Sequence, residues 1–413
     1  MKIKKIKARK IEDSRGNPTI EVDITTDKGI SRAAAPSGAS TGKAEAVAFP
    51  NSVDFCIKNI NNKISGNLVG LESDLIKIDE LLKDLDATDN FSNIGGNSAV
   101  AISMAAAKAA SLEREIPLWK YLNEILNLFL KTKKVEIDSV VTRPLGNVLG
   151  GGAHAVGGTD IQEFLVCSQG KTAKDSIFAN SEVHKEVKEK LKNKFPTSAI
   201  GKGDEGGWVA HVTDEEALEI VTTACKEVSA EVGFEIKVNL DLAASEIYNK
   251  DSGCYEYKNT GEKFDVDAQI DFILDLIKNY NLYFIEDPLH EEDFEGFAKL
   301  TEKAAKLKNC LICGDDLFVT NEKRLKKGIE IGACNSILIK PNQIGTMSDT
   351  LKTVALAIDN NYVPVVSHRS GETTDETIAH LAVAVQSPML KTGIVGGERI
   401  AKLNELIRIE ETL

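Results

Sequence analysis

The sequence predicts an α/β protein, a closed TIM-like β/α barrel preceded by an N-terminal α+β domain. Three observations carry this. Beyond residue 135, six short apolar runs recur, each ending in a polar or charged residue. Their end residues, Asp241, Glu286, Asp315, Lys340, His368 and Lys391, are 45, 29, 25, 28 and 23 positions apart. One strand, one helix and two loops need about that many residues. Ahead of residue 135 the order differs, with strands first and helices after. A length of 413 residues suits two such units.

The first unit, 1–134, opens with three strand patterns at 3–11, 19–26 and 30–35. Asp27-Lys28-Gly29 is a tight turn between the last two, and Asp13-Ser14-Arg15-Gly16-Asn17-Pro18 is a run of turn formers between the first two. A Gly/Ser loop follows at 37–42, then helical patterns near 50–63, 71–85 and 97–128, the last rich in alanine. Lys131-Thr132-Lys133-Lys134 marks the boundary with the second unit, 135–413. There the strand candidates are 236–241, 282–286, 311–315, 336–340, 364–368 and a shorter run ending near Lys391. Barrel enzymes place their chemistry at the C-terminal ends of such strands.

Composition excludes several classes. The net charge of −13 and the lack of a dense basic stripe argue against nucleic-acid binding. No apolar run approaches the ~18 residues of a membrane span. Seven cysteines, an odd count, argue against a disulfide framework. Cys310-Leu311-Ile312-Cys313 has redox spacing but reads as buried strand. The N-terminus lacks an apolar signal region, which predicts a cytosolic location.

Three successive strand ends are carboxylates: Asp241, Glu286 and Asp315. Barrel closure brings them together, and buried carboxylates repel unless a cation neutralises them. All-oxygen ligands select a hard ion, Mg²⁺ before Ca²⁺ or Zn²⁺. The bland reading, three separate helix caps, ignores their shared rim. Lys340 ends an apolar run, so burial and a nearby cation would lower its pKa and make it a credible base. Arg369 and Ser370, after His368, form a phosphate-binding pair in one loop. Gly150-Gly151-Gly152-Ala153-His154 with Gln162-Glu163, and Gly203-Asp204-Glu205-Gly206-Gly207, set reactive side chains between glycines.

Together these segments resemble the enolase family over essentially the whole chain. Ser14-Arg15-Gly16-Asn17-Pro18-Thr19 is similar to that family's N-terminal signature, and Ser37-Gly38-Ala39-Ser40-Thr41-Gly42 to its mobile loop. Ile285-Glu286-Asp287-Pro288, Gly314-Asp315-Asp316-Leu317, Asn342-Gln343-Ile344-Gly345-Thr346 and Ser367-His368-Arg369-Ser370-Gly371-Glu372-Thr373 match as well. The segment before His154 resembles archaeal members. The Arg-Asp pair that many members carry after the mobile loop is replaced by Ala46-Val47-Ala48-Phe49-Pro50-Asn51, and Trp208 and His211 also depart from the common pattern.

The resemblance implies a hydro-lyase of glycolysis and gluconeogenesis that interconverts 2-phosphoglycerate and phosphoenolpyruvate. It implies two Mg²⁺ per site, one held by Asp241, Glu286 and Asp315, the second arriving with substrate and helped by Ser40. Lys340 is then the base at C2. Glu205, supported by Glu163, protonates the departing hydroxyl and needs a raised pKa. Arg369 and Ser370 bind phosphate, and His154, Gln162, His368 and Lys391 complete the substrate contacts. Homodimers or homo-octamers follow from the family, with no nucleic acid or membrane as partner. The rivals are another dehydratase or racemase of the wider superfamily, which has no need of Ser40 or of Arg369-Ser370, and a catalytically dead scaffold, which keeps no need for Lys340 or Glu205.

Overall fold

Alternating apolar residues build the first sheet. Strands β1 (Lys5–Glu12), β2 (Pro18–Thr26) and β3 (Gly29–Ala34) pair antiparallel, with Lys5 opposite Thr25 and Glu21 opposite Ala34. Ile20, Val22 and Ile24, two apart along β2, are fully buried. The computed structural model describes residues 1–38, 41–137, 141–155, 157–197, 199–307 and 310–413, with the His154 side chain outside that description.

Helices follow as α1 (Val53–Asn59), α2 (Leu75–Asp86), α3 (Gly96–Glu113) and α4 (Leu118–Phe129). The sequence pattern over 97–128 predicts one helix, and the structure has two. Glu115 takes a left-handed φ of 55° and Pro117 caps α4. Proline has no N–H to donate and keeps the residue before it out of helical geometry, so the apolar period runs on while the helix cannot. The small side chains of α3 let it lie directly on β2 and β3.

The barrel is β4 (Arg143–Gly150), β5 (Glu163–Ser168), β6 (Ile236–Asp241), β7 (Phe284–Glu286), β8 (Leu311–Gly314), β9 (Ser336–Ile339), β10 (Val363–Ser367) and β11 (Met389–Lys391). Pairing of Leu390 with Pro144 closes it. All six strand candidates are present. The first two barrel strands were not among them, and β5 runs antiparallel to both β4 and β6. Helices α5 (Ala173–Lys194) and α6 (Asp214–Val232) then precede β6. The strand–helix alternation therefore begins one step late. In β4, proline, asparagine and two glycines conceal the strand. Gly146 is forced there, because a Cβ would sit 2.5 Å from Ile394 Cγ1.

Inward residues Leu145, Leu165, Phe284, Cys313, Leu338, Val365 and Met389 fill the barrel below its mouth. The N-terminal unit sits against that mouth. Ser37 and Gly371 exchange backbone hydrogen bonds of 2.7 and 2.8 Å, and Ser14 N–H donates to Glu372 O at 2.7 Å. All seven cysteines are free. The basic-leaning stretch of α5 is an ion-paired face, with Lys185–Glu182 at 2.7 Å and Lys192–Glu189 at 2.9 Å. Among the described residues no helix is long and apolar enough to cross a membrane.

Candidate active site

The period of a strand sets the site. Two residues beyond the inward apolar layer, the same face of each strand emerges at the rim. From Phe284 this gives Glu286, from Cys313 Asp315, from Leu338 Lys340 and from Met389 Lys391. In antiparallel β5 the count reverses, from Leu165 to Glu163. Register then lines up Glu163, Asp241 and Glu286 as direct neighbours across three strands.

Two lysines answer this negative charge. Lys391 Nζ lies 2.9 Å from Asp241 Oδ2, 2.6 Å from Glu286 Oε2 and 3.3 Å from Glu163 Oε1. Lys340 pairs with Asp315 Oδ2, whose other oxygen accepts from Gln343 Nε2 at 2.9 Å. Burial and the Asp241 charge push Glu286 well above the ordinary carboxylate range, with Lys391 opposing them. Burial also works to raise Asp315, but Lys340 outweighs it and holds Asp315 low. Half-buried Asp316 is pushed up to about 8 by desolvation and the neighbouring Asp315 charge. The sequence predicts a lowered pKa for Lys340. Here burial lowers it, but the Asp315 charge wins and the net shift is upward.

On the other side, His368 Nε2 lies 3.2 Å from Glu205 Oε2. Arg399 Nη1, which can only donate, is 2.8 Å from His368 Nδ1. Nδ1 is therefore the acceptor, and the imidazole proton sits on Nε2, toward Glu205. Burial lowers the His368 pKa to about 4 despite Glu205, so the ring is neutral. Gln162 Nε2 donates to Asp241 Oδ2 at 3.3 Å. Arg369 and Ser370 line the same cavity as Gln162, Glu163, Glu205, Asp241, Asp315, Lys340, His368 and Lys391. Ser40 and the side chain of His154 lie outside the described residues. Every other site residue named from the sequence lines this cavity or bonds to a residue that does.

Some supporting residues escaped the sequence reading. Asp287, with a φ of 39°, accepts the N–H groups of Asp315 and Asp316 at 2.9 and 2.8 Å. It shapes the turn that presents Asp315; its place between Glu286 and Pro288 was the available signal. Fully buried Arg399 donates to the carbonyls of Arg369 at 2.6 Å and Ser370 at 2.7 Å, and to Asp204 O at 3.2 Å. It ties the Arg369-Ser370 loop to the Glu205 loop. Nothing local in the C-terminal helix α7 (Gly397–Glu410) marks it for that.

The residues fit a hard cation. Asp287, Asp315 and Asp316 offer oxygens within 4.8 Å of one another, and Asp241 and Glu286 stand beside them holding an ammonium group. Lining the cavity are six carboxylates, Glu163, Glu205, Asp241, Asp287, Asp315 and Asp316, against the fixed cations Lys340, Arg369 and Lys391. Oxygen-only donors with excess negative charge suit Mg²⁺.

A barrel mouth with these groups belongs to the class of lyases that move protons on a small anion with help from a hard ion. Residues 3–122 match the family model "Enolase, N-terminal domain" and residues 138–413 match "Enolase, C-terminal TIM barrel domain". A Methanosphaera stadtmanae protein named Enolase is 54% identical over 415 residues, covering 100% of this chain and 97% of that one. The Methanothermobacter thermautotrophicus Enolase is 51% identical with the same coverage, and that of Picrophilus torridus is 46% identical, covering 100% of this chain and 99% of its own. The chain belongs to the enolase family.

Proposed function

We propose that the protein reversibly dehydrates 2-phospho-D-glycerate to phosphoenolpyruvate. The observation that carries this is one buried cavity bringing Lys340, Glu205 and the Arg369-Ser370 pair together at a carboxylate-rich rim. The base at C2 has to be a neutral amine. Lys340 becomes one when its ammonium leaves Asp315, whose charge holds its pKa up, and gives its proton to solvent; the free amine then takes the C2 proton. Glu205 then protonates the C3 hydroxyl as it leaves, with Glu163 supporting it. Neutral His368, its Nε2–H toward Glu205, helps hold that acid in place. Arg369 and Ser370 take the phosphate, while His154, Gln162 and Lys391 complete the substrate contacts.

Asp241, Glu286 and Asp315 would hold one Mg²⁺, and a second would enter with substrate next to Ser40. When bound, these ions supply the positive charge that stabilises the substrate carboxylate as its neighbouring proton is lost. Lys391 and Lys340 occupy carboxylate oxygens that the first ion needs, and the cavity has about 30 Å³ free. That is room for on the order of one water. Substrate entry therefore requires both lysines to withdraw from the acids.

The same reading takes 1–134 and 135–413 as two domains, places the protein in the cytosol and assembles it as a dimer or octamer. The test is ultraviolet absorbance from phosphoenolpyruvate formed from 2-phosphoglycerate, with EDTA and with Mg²⁺ restored. Mg²⁺-dependent formation is expected; no product at any Mg²⁺ concentration overturns the proposal.

A further inference from the structure

Arg369 is not free to find its anion unaided. Its guanidinium forms a two-point pair with Glu45, Nη1 to Oε2 at 3.1 Å and Nη2 to Oε1 at 3.0 Å. The side chains are 3% and 8% exposed, so the pair is shielded from water. Nη1 also donates to Asn342 Oδ1 at 2.8 Å. These contacts use both hydrogens of Nη1 and one of Nη2. Nε and the second Nη2 hydrogen have no partner among the described residues, and together they form the side edge that grips a phosphate in two-point fashion. Asp315 and Asp316 line the same cavity, and their charges act on the guanidinium.

Glu45 also touches the loop stem. Its Oε1 accepts from Gly42 N–H at 3.1 Å and from Gln343 Nε2 at 3.4 Å. Gly42 is wedged against the barrel, since a Cβ there would lie 2.6 Å from Val319 Cγ1. One residue on, Lys43 N–H donates to Glu291 Oε2 at 3.0 Å. The carboxylate thus joins Arg369 to the described end of the 37–42 loop.

We infer that Glu45 is a positioning residue for substrate phosphate: it clamps the outer edge of Arg369, keeps the guanidinium off Asp315 and Asp316, and presents its Nε–Nη2 edge to the anion. The inference rests on Arg369 binding the phosphate. Glu45 itself touches no reacting atom, and its negative charge opposes the phosphate at long range. The clamp is favourable because an unclamped guanidinium would fall onto the acids of the rim.

The test uses the full-length enzyme with Mg²⁺. In Glu45→Ala, the KM for 2-phosphoglycerate and the inhibition constant of inorganic phosphate should both rise about tenfold, the scale of one charge-assisted hydrogen bond. The fall in kcat should be smaller. Formate, which fits the space left by the missing carboxylate, should reverse most of the rise, whereas chloride at equal ionic strength should not. Glu45→Gln, which keeps the shape and one acceptor, should lie between parent and Glu45→Ala and serves as the readout if the alanine variant does not fold. Unchanged or tighter phosphate binding overturns the inference, because Glu45 would then be a mere competitor for Arg369. A rise that neither formate nor the glutamine variant lessens overturns it too, since only packing would be lost. Arg369→Gln separates the two readings: if it binds inorganic phosphate as well as the parent, the assignment of Arg369 to phosphate fails, whatever Glu45 does.

Discussion

The inside of the barrel is divided between two regions made by the same strands. The lower one, with Leu165, Phe284, Leu338, Val365 and Met389, is apolar and closed to water. Two residues along, at the rim, the same faces carry Glu163, Glu286, Ser367 and Lys391, equally buried but charged or polar, and the half-buried Lys340. Burial stabilises the first region and opposes the second. The apolar layer gains transfer and packing energy from each side chain. The rim instead holds Glu286, raised by burial and by Asp241, with Lys391 drawn across the mouth to balance the acids. The lesson is that stability and chemistry occupy adjacent turns of the same pleat, and that the rim is kept for reactivity at some cost to stability.

This contrast can be broken most sharply at Lys340. Lys340→Ala should lower kcat by about 10⁴-fold, toward the upper end for loss of a general base. It should abolish solvent exchange of the C2 proton while 2-phosphoglycerate still binds. Persisting exchange by NMR would remove Lys340 as the base.

One layer down, Leu338→Ala should cost about 2–5 kcal/mol of stability. Chemical denaturation measures that cost. By contrast Glu286→Gln, which leaves Lys391 its partners Asp241 and Glu163, should cost less metal-free stability than Leu338→Ala, yet abolish Mg²⁺-dependent turnover. If the two substitutions had equal effects on stability, the division between rim and layer would be lost.

A smaller effect concerns the neutral histidines. Burial lowers His368, and His184 in α5, to about 4, below the usual histidine value of about 6.5. Between those values the unfolded chain binds protons that the folded chain does not. Their contribution is therefore fully present above the unfolded pKa and declines as pH falls toward the folded one, by up to about 1.4 kcal/mol per unit and group. Ring NMR shifts should show no titration of either residue near neutral pH; a midpoint close to the ordinary histidine value would contradict the burial argument.

Much of the fold and rim was legible because a strand's period and the strand–helix repeat are both short-range regularities. Spacing alone put Asp241, Glu286, Asp315, Lys340, His368 and Lys391 at successive strand ends. Two barrel strands were hidden for opposite reasons. β4 is written in residues that avoid sheets, and β5 breaks the strand–helix rhythm by running the other way. The split near Pro117 was present in the sequence, but the apolar period masked it. Glu45 and Arg399 were beyond reach, since Glu45 acts on Arg369, 324 positions on, and Arg399 bridges to Asp204, 195 positions back. No local pattern encodes such a contact.

The division of labour at the rim is tested most directly by solvent deuterium exchange at C2 of 2-phosphoglycerate in Glu205→Gln. With proton removal at Lys340 and loss of the hydroxyl at Glu205, exchange should continue near the parent rate while phosphoenolpyruvate formation stops. Loss of both together, with substrate still bound, would contradict that division.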